Sequence, residues 1–114
     1  MSLLSKSVAV VAALAVLASW GADAQTFTAR TTIASITTGW AVDSFGLSIN
    51  TTLPNPANCP QVDLVMSITT DPGYKTYYAA ALTAWATGSP VQIIVSNTQC
   101  TQNRPQIIGI NLQH

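Results

Sequence analysis

The chain has 114 residues, with four Lys or Arg, four Asp or Glu and a formal net charge of zero, while 48% of its residues are hydrophobic. A protein that binds nucleic acid needs many Lys and Arg to displace counterions from phosphates, so this composition excludes that class of partner. Near-zero net charge instead favours association with copies of the same chain or with another protein, because little charge repulsion opposes contact.

The first 24 residues have the organisation of a secretory signal peptide. Lys6 supplies a positive charge, an apolar run follows at positions 8–17, and Ala22-Asp23-Ala24 matches an Ala-x-Ala cleavage site. The alternative is an uncleaved membrane anchor, but the run is much shorter than the roughly 20 apolar residues of a spanning helix. We therefore predict a protein that is secreted or periplasmic after cleavage near Ala24. Residues 25–114 then form one domain without a membrane span.

Cys59 and Cys100 are the two cysteines of the chain. In a small exported domain, two cysteines predict one structural disulfide, because the compartment is oxidising and a small core gains stability from it. The alternative, a reactive thiol pair, lacks the close Cys-x-x-Cys spacing of redox sites.

Alternating apolar residues predict five strands. They lie near residues 27–36, 40–53, 62–68, 91–95 and 108–112, with a loop carrying Cys100 at residues 97–105. In the first strand the alternation changes parity near Ala34 and Ser35, which predicts a β-bulge. One helix falls between the third and fourth strands. The predicted fold is therefore mainly β with one helix: a five-stranded OB-fold-like barrel of order βββαββ over residues 25–114.

The helix is predicted to begin at Asp71-Pro72, as N-cap and first helical position, and to end at Gly88. One stripe is aromatic and apolar and consists of Tyr74, Tyr77, Tyr78, Ala81, Leu82 and Trp85. We interpret it as packing on the sheet, with the hydroxyls of Tyr74 and Tyr77 at its edge, in preference to an aromatic ligand platform. The opposite face is small and uncharged and includes Thr76, Ala79, Ala80, Thr83 and Thr87. This face is either plain exposed surface or the contact with another copy in an oligomer.

The residues needed for catalysis are sparse, so we predict no enzymatic activity, no metal and no cofactor. His114 is the single histidine and is the last residue of the chain, which is a poor place for a general base. A zinc site needs three or four ligands. Asp43, Asp63 and Asp71 are the carboxylates available for a glycosidase pair, but Asp71 is more simply a helix cap. Asn50-Thr51-Thr52 matches an N-glycosylation sequon, which we interpret as chance in a chain with a bacterial type of signal peptide.

Three residues are candidates for ligand binding. Trp40 follows a glycine at a predicted strand turn and offers an aromatic face, while Lys75 and Arg104 offer hydrogen-bond donors. Sugars are held by such stacking and by side-chain hydrogen bonds. Each residue also has a structural interpretation, because Trp40 can fill the end of a barrel and the two cations can serve solubility alone.

Residues 77–95, with the sequence YYAAALTAWATGSPVQIIV, resemble the helix, turn and strand of B subunits of bacterial multi-subunit toxins. The likeness is to subtilase-cytotoxin and pertussis-like B subunits and their small secreted relatives. It implies an OB-fold subunit, a ring of five copies, a glycan-binding surface and a toxin A subunit as partner. It carries over no glycan-contacting residue, because in the family these lie outside the matching segment.

These observations together predict a secreted, non-catalytic binding module that resembles toxin B subunits, recognises glycans and forms rings. The alternative is a monomeric exported accessory or structural protein that binds another protein.

Overall fold

A computed structural model describes residues 25–39 and 41–114, so the predicted signal peptide at 1–24 lies outside the described residues. Within this part of the chain the fold is mainly β with one helix, as predicted. The elements are β1 (Gln25–Phe27), β2 (Ile33–Thr38), β3 (Ser44–Ile49), β4 (Val65–Ile68), α1 (Tyr74–Thr87), β5 (Val91–Thr101) and β6 (Arg104–Leu112). Four strands precede the helix, so the predicted order βββαββ is wrong.

The strands form an open six-stranded sheet of order β1-β5-β6-β4-β3-β2, which replaces the predicted five-stranded barrel. All neighbours are antiparallel except β4 and β6, which are parallel and meet at Met66 and Gln106. The two edge strands, β1 and β2, are consecutive in the chain and are separated only by residues 28–32. In a flat six-stranded sheet the two edge strands are about 24 Å apart. The five residues between β1 and β2 are too short to span this distance comfortably, so the sheet curls and brings its edges closer together.

The predicted first strand is divided in two because its backbone changes partner. Thr31 exchanges two backbone hydrogen bonds with Val91 of β5. Thr28 N donates to Ile93 O, and the buried Thr28 hydroxyl accepts a bond from Ile93 N at 3.0 Å. From Ile33 onward the chain pairs with β3 instead. The register shift between Ile33 and Ser35 confirms the predicted bulge.

The segment predicted as a loop at 97–105 is the tip of the β5–β6 hairpin. Thr101 pairs with Arg104, and the two residues between them, Gln102 and Asn103, have positive φ angles of 49° and 68°. Two residues of positive φ suit a tight hairpin turn, and asparagine tolerates this conformation better than most residues. The predicted loop is therefore a turn of two residues, and the residues on either side of it belong to β5 and β6.

The disulfide between Cys59 and Cys100 is present, as predicted, with a Cα–Cα distance of 5.8 Å. It ties the loop before β4 to the end of β5. Asn55 supports the same loop, because its side chain accepts a hydrogen bond from Cys59 N and donates one to Cys59 O.

A single cluster of buried apolar side chains lies between the sheet and α1: Ile33, Phe45, Leu47, Val65, Ala81, Ala84, Val91, Ile93, Val95 and Ile107. The Tyr77 hydroxyl donates to Ile108 O at 3.0 Å and fixes the helix to β6. Among the described residues, none belongs to a helix of sufficient length and hydrophobicity to traverse a bilayer.

The helix ends where predicted but begins differently. Gly88 adopts a left-handed φ of 70° and donates its N–H to Ala84 O, which stops the helix. Asp71 is not the N-cap: Gly73 occupies that position, and no side chain caps it. The Asp71 carboxylate instead accepts hydrogen bonds from the Ser67 hydroxyl, the Ile68 N–H and the Gln106 amide, which join β4 to β6.

Candidate functional site

Of the three predicted ligand-binding residues, the structure describes Lys75 and Arg104 and places them in different surroundings. Trp40 lies outside the described residues. Lys75 is exposed in the first turn of α1, close enough to Asp43 to help lower its pKa. Arg104 is buried at the start of β6.

Arg104 makes a structural ion pair. Its Nε and a terminal nitrogen donate to the two carboxylate oxygens of Asp63 at 2.6 and 3.2 Å, and the other terminal nitrogen donates to Gln102 O. Such a two-point contact fixes a guanidinium strongly. The Arg104 side chain is 10% exposed and that of Asp63 57%, so the pair orders the hairpin tip beside the disulfide. The Asp63 pKa lies below its usual range, chiefly because of the hydrogen bond from Arg104.

A more promising group surrounds Asp43, at the end of the turn between β2 and β3. Gly39 and Ala41 have positive φ angles of 72° and 68°, and hydrogen bonds from Gly39 N to Ser44 O and from Ala41 N to Gly39 O tighten the turn. Asp43 O accepts hydrogen bonds from both the hydroxyl and the N–H of Thr69, at 2.8 and 3.1 Å. The backbone of Asp43 is thereby fixed to the end of β4.

The carboxylate of Asp43 is also held in place. The Tyr74 hydroxyl donates to its Oδ1 at 2.7 Å. Tyr74 in turn packs against the buried Phe45, with ring centroids 5.5 Å apart. The exposed carboxylate of Asp43 is therefore connected to the hydrophobic core through the rigid side chain of Tyr74.

Asp43 lies in a cleft of about 350 Å³, here called the Asp43 cleft, which is lined by Val42, Asp43, Ile68, Thr69 and Thr70. Val42 is 51% exposed and supplies an apolar wall of the cleft. The cleft thus combines a fixed carboxylate, threonine hydroxyls and an apolar wall. Lys75 adds a cation nearby.

The hydrogen bond between Tyr74 and Asp43 changes the pKa of both groups. The pKa of Asp43 is lowered, first by the Tyr74 hydrogen bond and then by the neighbouring Thr69 hydroxyl, with a smaller contribution from Lys75. Burial, followed by the hydrogen bond to Asp43, raises the pKa of Tyr74 to about 12. Asp43 therefore stays ionised and Tyr74 protonated at neutral pH. The cleft is suited to hydrogen bonding, since neither group is poised to transfer a proton there.

The other charged candidates have structural partners. Asp63 pairs with Arg104, and Asp71 is bound by β4 and β6. His114 O accepts a hydrogen bond from Arg30. In the part of the chain that the structure describes, no three His, Cys, Asp or Glu side chains are grouped to hold a metal ion.

The aromatic stripe of α1 is only partly buried. Ala81 and Ala84 are buried, and Tyr74, Tyr77 and Tyr78 pack against the core, but Leu82 and Trp85 are 43% and 51% exposed. The helix is turned so that Ala84 faces the sheet, which moves Trp85 to the side. Small and aromatic residues of α1 can pack on the same sheet in more than one rotation of the helix, and the periodicity alone does not choose between these rotations.

The small face of α1 is exposed, apart from the half-buried Ala80. The Thr83 hydroxyl donates to Ala79 O at 2.9 Å and the Thr87 hydroxyl to Thr83 O at 2.8 Å. These bonds to the helix backbone turn the threonine hydroxyls inward, so that the surface presents mainly methyl groups. The face of Thr76, Ala79, Ala80, Thr83 and Thr87 is therefore less polar than its composition suggests.

Sequence reasoning named Asp43 only as one of three carboxylates and missed its cleft. Two features of the sequence could have indicated the cleft. Asp43 lies in a turn that begins with a glycine, and Tyr74 lies four positions after Thr70, which belongs to a second turn. The contact between them depends on the pairing of β3 with β4, which a single sequence does not reveal. Comparison with family models, with curated proteins and with solved structures gives no match for this chain.

Proposed function

We propose that this chain is a secreted, non-catalytic binding module, similar to toxin B subunits, that recognises a glycan through the Asp43 cleft. The observation that carries the proposal is an exposed carboxylate held by the Tyr74 hydroxyl at 2.7 Å beside an apolar wall. Sugars present pairs of hydroxyl donors on a ring with an apolar face, and a fixed carboxylate and a branched aliphatic side chain are complementary to these two features.

Rigidity supports recognition in this cleft. A weak ligand gains most from groups that are ordered before it arrives, because less conformational entropy is then lost on binding. Asp43 is fixed through Thr69 and through Tyr74, and Tyr74 is packed on Phe45.

Glycan-array binding of the exported protein tests the proposal. We expect a signal on one class of glycan, and a 10- to 100-fold loss of affinity in Asp43→Asn, because a hydrogen bond to a charged group contributes about 1.5–3 kcal/mol. Asp63→Asn removes the same charge outside the cleft and should bind as the wild type does. Absence of binding to every glycan, or equal loss in both variants, would contradict the assignment.

The pH profile of binding gives a second readout of the same cleft. The pKa of Asp43 is lowered from 3.8, so the carboxylate remains ionised somewhat below that pH, and affinity should hold at pH 4 and fall only in more acid solution. Tyr74→Phe removes the main cause of the lowered pKa and should move the acid loss of binding to higher pH. An unchanged profile in Tyr74→Phe would show that Tyr74 does not position Asp43.

We also propose that the small face of α1 joins copies of the chain into a ring, with five copies by the resemblance. Support comes from its exposed, uncharged surface and from threonine hydroxyls that bond to their own helix, which lowers the desolvation cost of contact. Sedimentation equilibrium at tens of micromolar should give a multiple of the chain mass. Ala79→Glu with Thr83→Glu should give the monomer, because each contact would then bury two carboxylates without partners. Gln99→Glu, on β5, is the control. A monomeric wild type would overturn the ring.

A further inference from the structure

Within the described residues, the strand β2 has a partner strand on one side only. Its residues pair with β3 from Ile33 and Ile49 to Thr38 and Phe45, and it stands last in the order of the described sheet. In an antiparallel ladder, every second residue of an edge strand directs its N–H and C=O away from its neighbour. The outer side of β2 therefore offers a row of backbone groups that match another extended strand.

This edge has little protection against pairing. Natural edge strands are usually blunted by charged side chains, proline or strong irregularity. The strand Ile33–Thr38 has the sequence IASITT, without a charge or a proline, and its one irregularity is the bulge between Ile33 and Ser35. The segment after the bulge is regular as far as Thr38.

An apolar groove runs beside the same edge. Ile36 and Thr38 of β2 and Tyr78, Leu82 and Trp85 of α1 line it, and its volume is about 220 Å³. Leu82 and Trp85 are about half exposed, although they belong to the aromatic stripe of the helix. Large apolar side chains gathered beside open backbone groups are typical of a surface that binds a partner. None of the described residues that line the groove is charged, so these residues favour an uncharged ligand.

We propose that β2 and this groove bind an extended, uncharged segment of another protein, which adds a strand to the sheet. The backbone edge selects an extended chain, because a helical partner has no free backbone groups to pair with it. The groove selects aliphatic side chains at every second position of that strand, since alternate side chains share one face. The surface is separate from the Asp43 cleft and from the small face of α1, so the proposal stands independently of both.

Fluorescence anisotropy tests this with the labelled peptide TVTVTVT and the exported protein. We expect saturable binding, at least tenfold weaker for the same peptide N-methylated at every residue, which keeps its side chains but removes the N–H donors of both of its edges. The peptide TKTETKT should also bind at least tenfold more weakly. Equal affinity for the N-methylated peptide, or no binding of TVTVTVT, would overturn strand addition.

Variants of the protein locate the surface. Trp85→Ala and Ile36→Lys should each weaken binding of TVTVTVT at least tenfold, while Leu112→Ala, which shortens an equally exposed apolar side chain outside the groove, should leave it unchanged. Circular dichroism confirms that each variant is folded. If the unliganded protein is an oligomer that Trp85→Ala alone converts to the monomer, the groove holds a second copy and the proposal of a separate partner is wrong.

Discussion

Replacing Cys59 and Cys100 together by alanine is expected to lower the free energy of unfolding by about 4 kcal/mol. The disulfide closes a loop of 41 positions that contains β4, α1 and most of β5, so it restricts the unfolded chain strongly. In the chain-entropy account a loop of this length is worth between about 3 and 4.7 kcal/mol. Because a domain of this size is only marginally stable, this is a large share of its total stability.

Urea unfolding followed by circular dichroism measures the change. The wild type in excess reductant is the control, and it should unfold at the same urea concentration as the double variant, since both lack the same covalent link. A difference below about 1 kcal/mol between oxidised and reduced protein would contradict this account and would place the stability in the hairpin and core instead.

Replacing Phe45 by alanine is expected to destabilise the domain by about 4 kcal/mol. Phe45 has no exposed surface, and its ring lies 5.5 Å from that of Tyr74 and 5.2 Å from that of Tyr78. Alanine removes the ring from the junction of β3 with α1 and leaves a cavity under both tyrosines. The aromatic contacts add to the burial term. Tyr74 then loses the packing that aims its hydroxyl at Asp43.

Unfolding in urea and hydrogen exchange together test this expectation. Amide exchange in α1 should accelerate more than exchange in the β5–β6 hairpin, because the lost contact attaches the helix. Phe27→Ala is the matched control: Phe27 is 46% exposed, and its loss should change stability by about 1 kcal/mol or less. Similar effects of the two substitutions would show that the aromatic cluster does not attach the helix.

Signals that depend on one local conformation were read correctly from the sequence. Gly88 ends the helix because its φ of 70° suits glycine, and the bulge near Ser35 follows from a change in side-chain parity. The disulfide follows from two cysteines in a chain that the sequence predicts to be exported. Each of these signals needs only a few neighbouring residues or a simple count.

Features that depend on distant pairing were not predictable. Thr28 and Thr31 read as part of one strand, yet they stay beside β5 while the chain beyond Ile33 joins β3. Asp71 precedes Pro72, as a helix N-cap residue would, but its carboxylate accepts hydrogen bonds from Ser67 and Gln106 instead. In the same way, the Asp43 cleft exists only once β3, β4 and α1 are assembled.

The strand order also governs when the sheet can be completed. Among the described residues, β1 is the first strand and β5 is its one neighbour in the sheet, and the hydrogen bond from the Thr26 hydroxyl to Asn97 spans 71 positions. During synthesis β1 therefore has no partner until most of the polypeptide has been made. Pairing of such distant segments is slow, because the intervening chain must be ordered first. The N-terminal strand is thus among the last parts of the domain to fold.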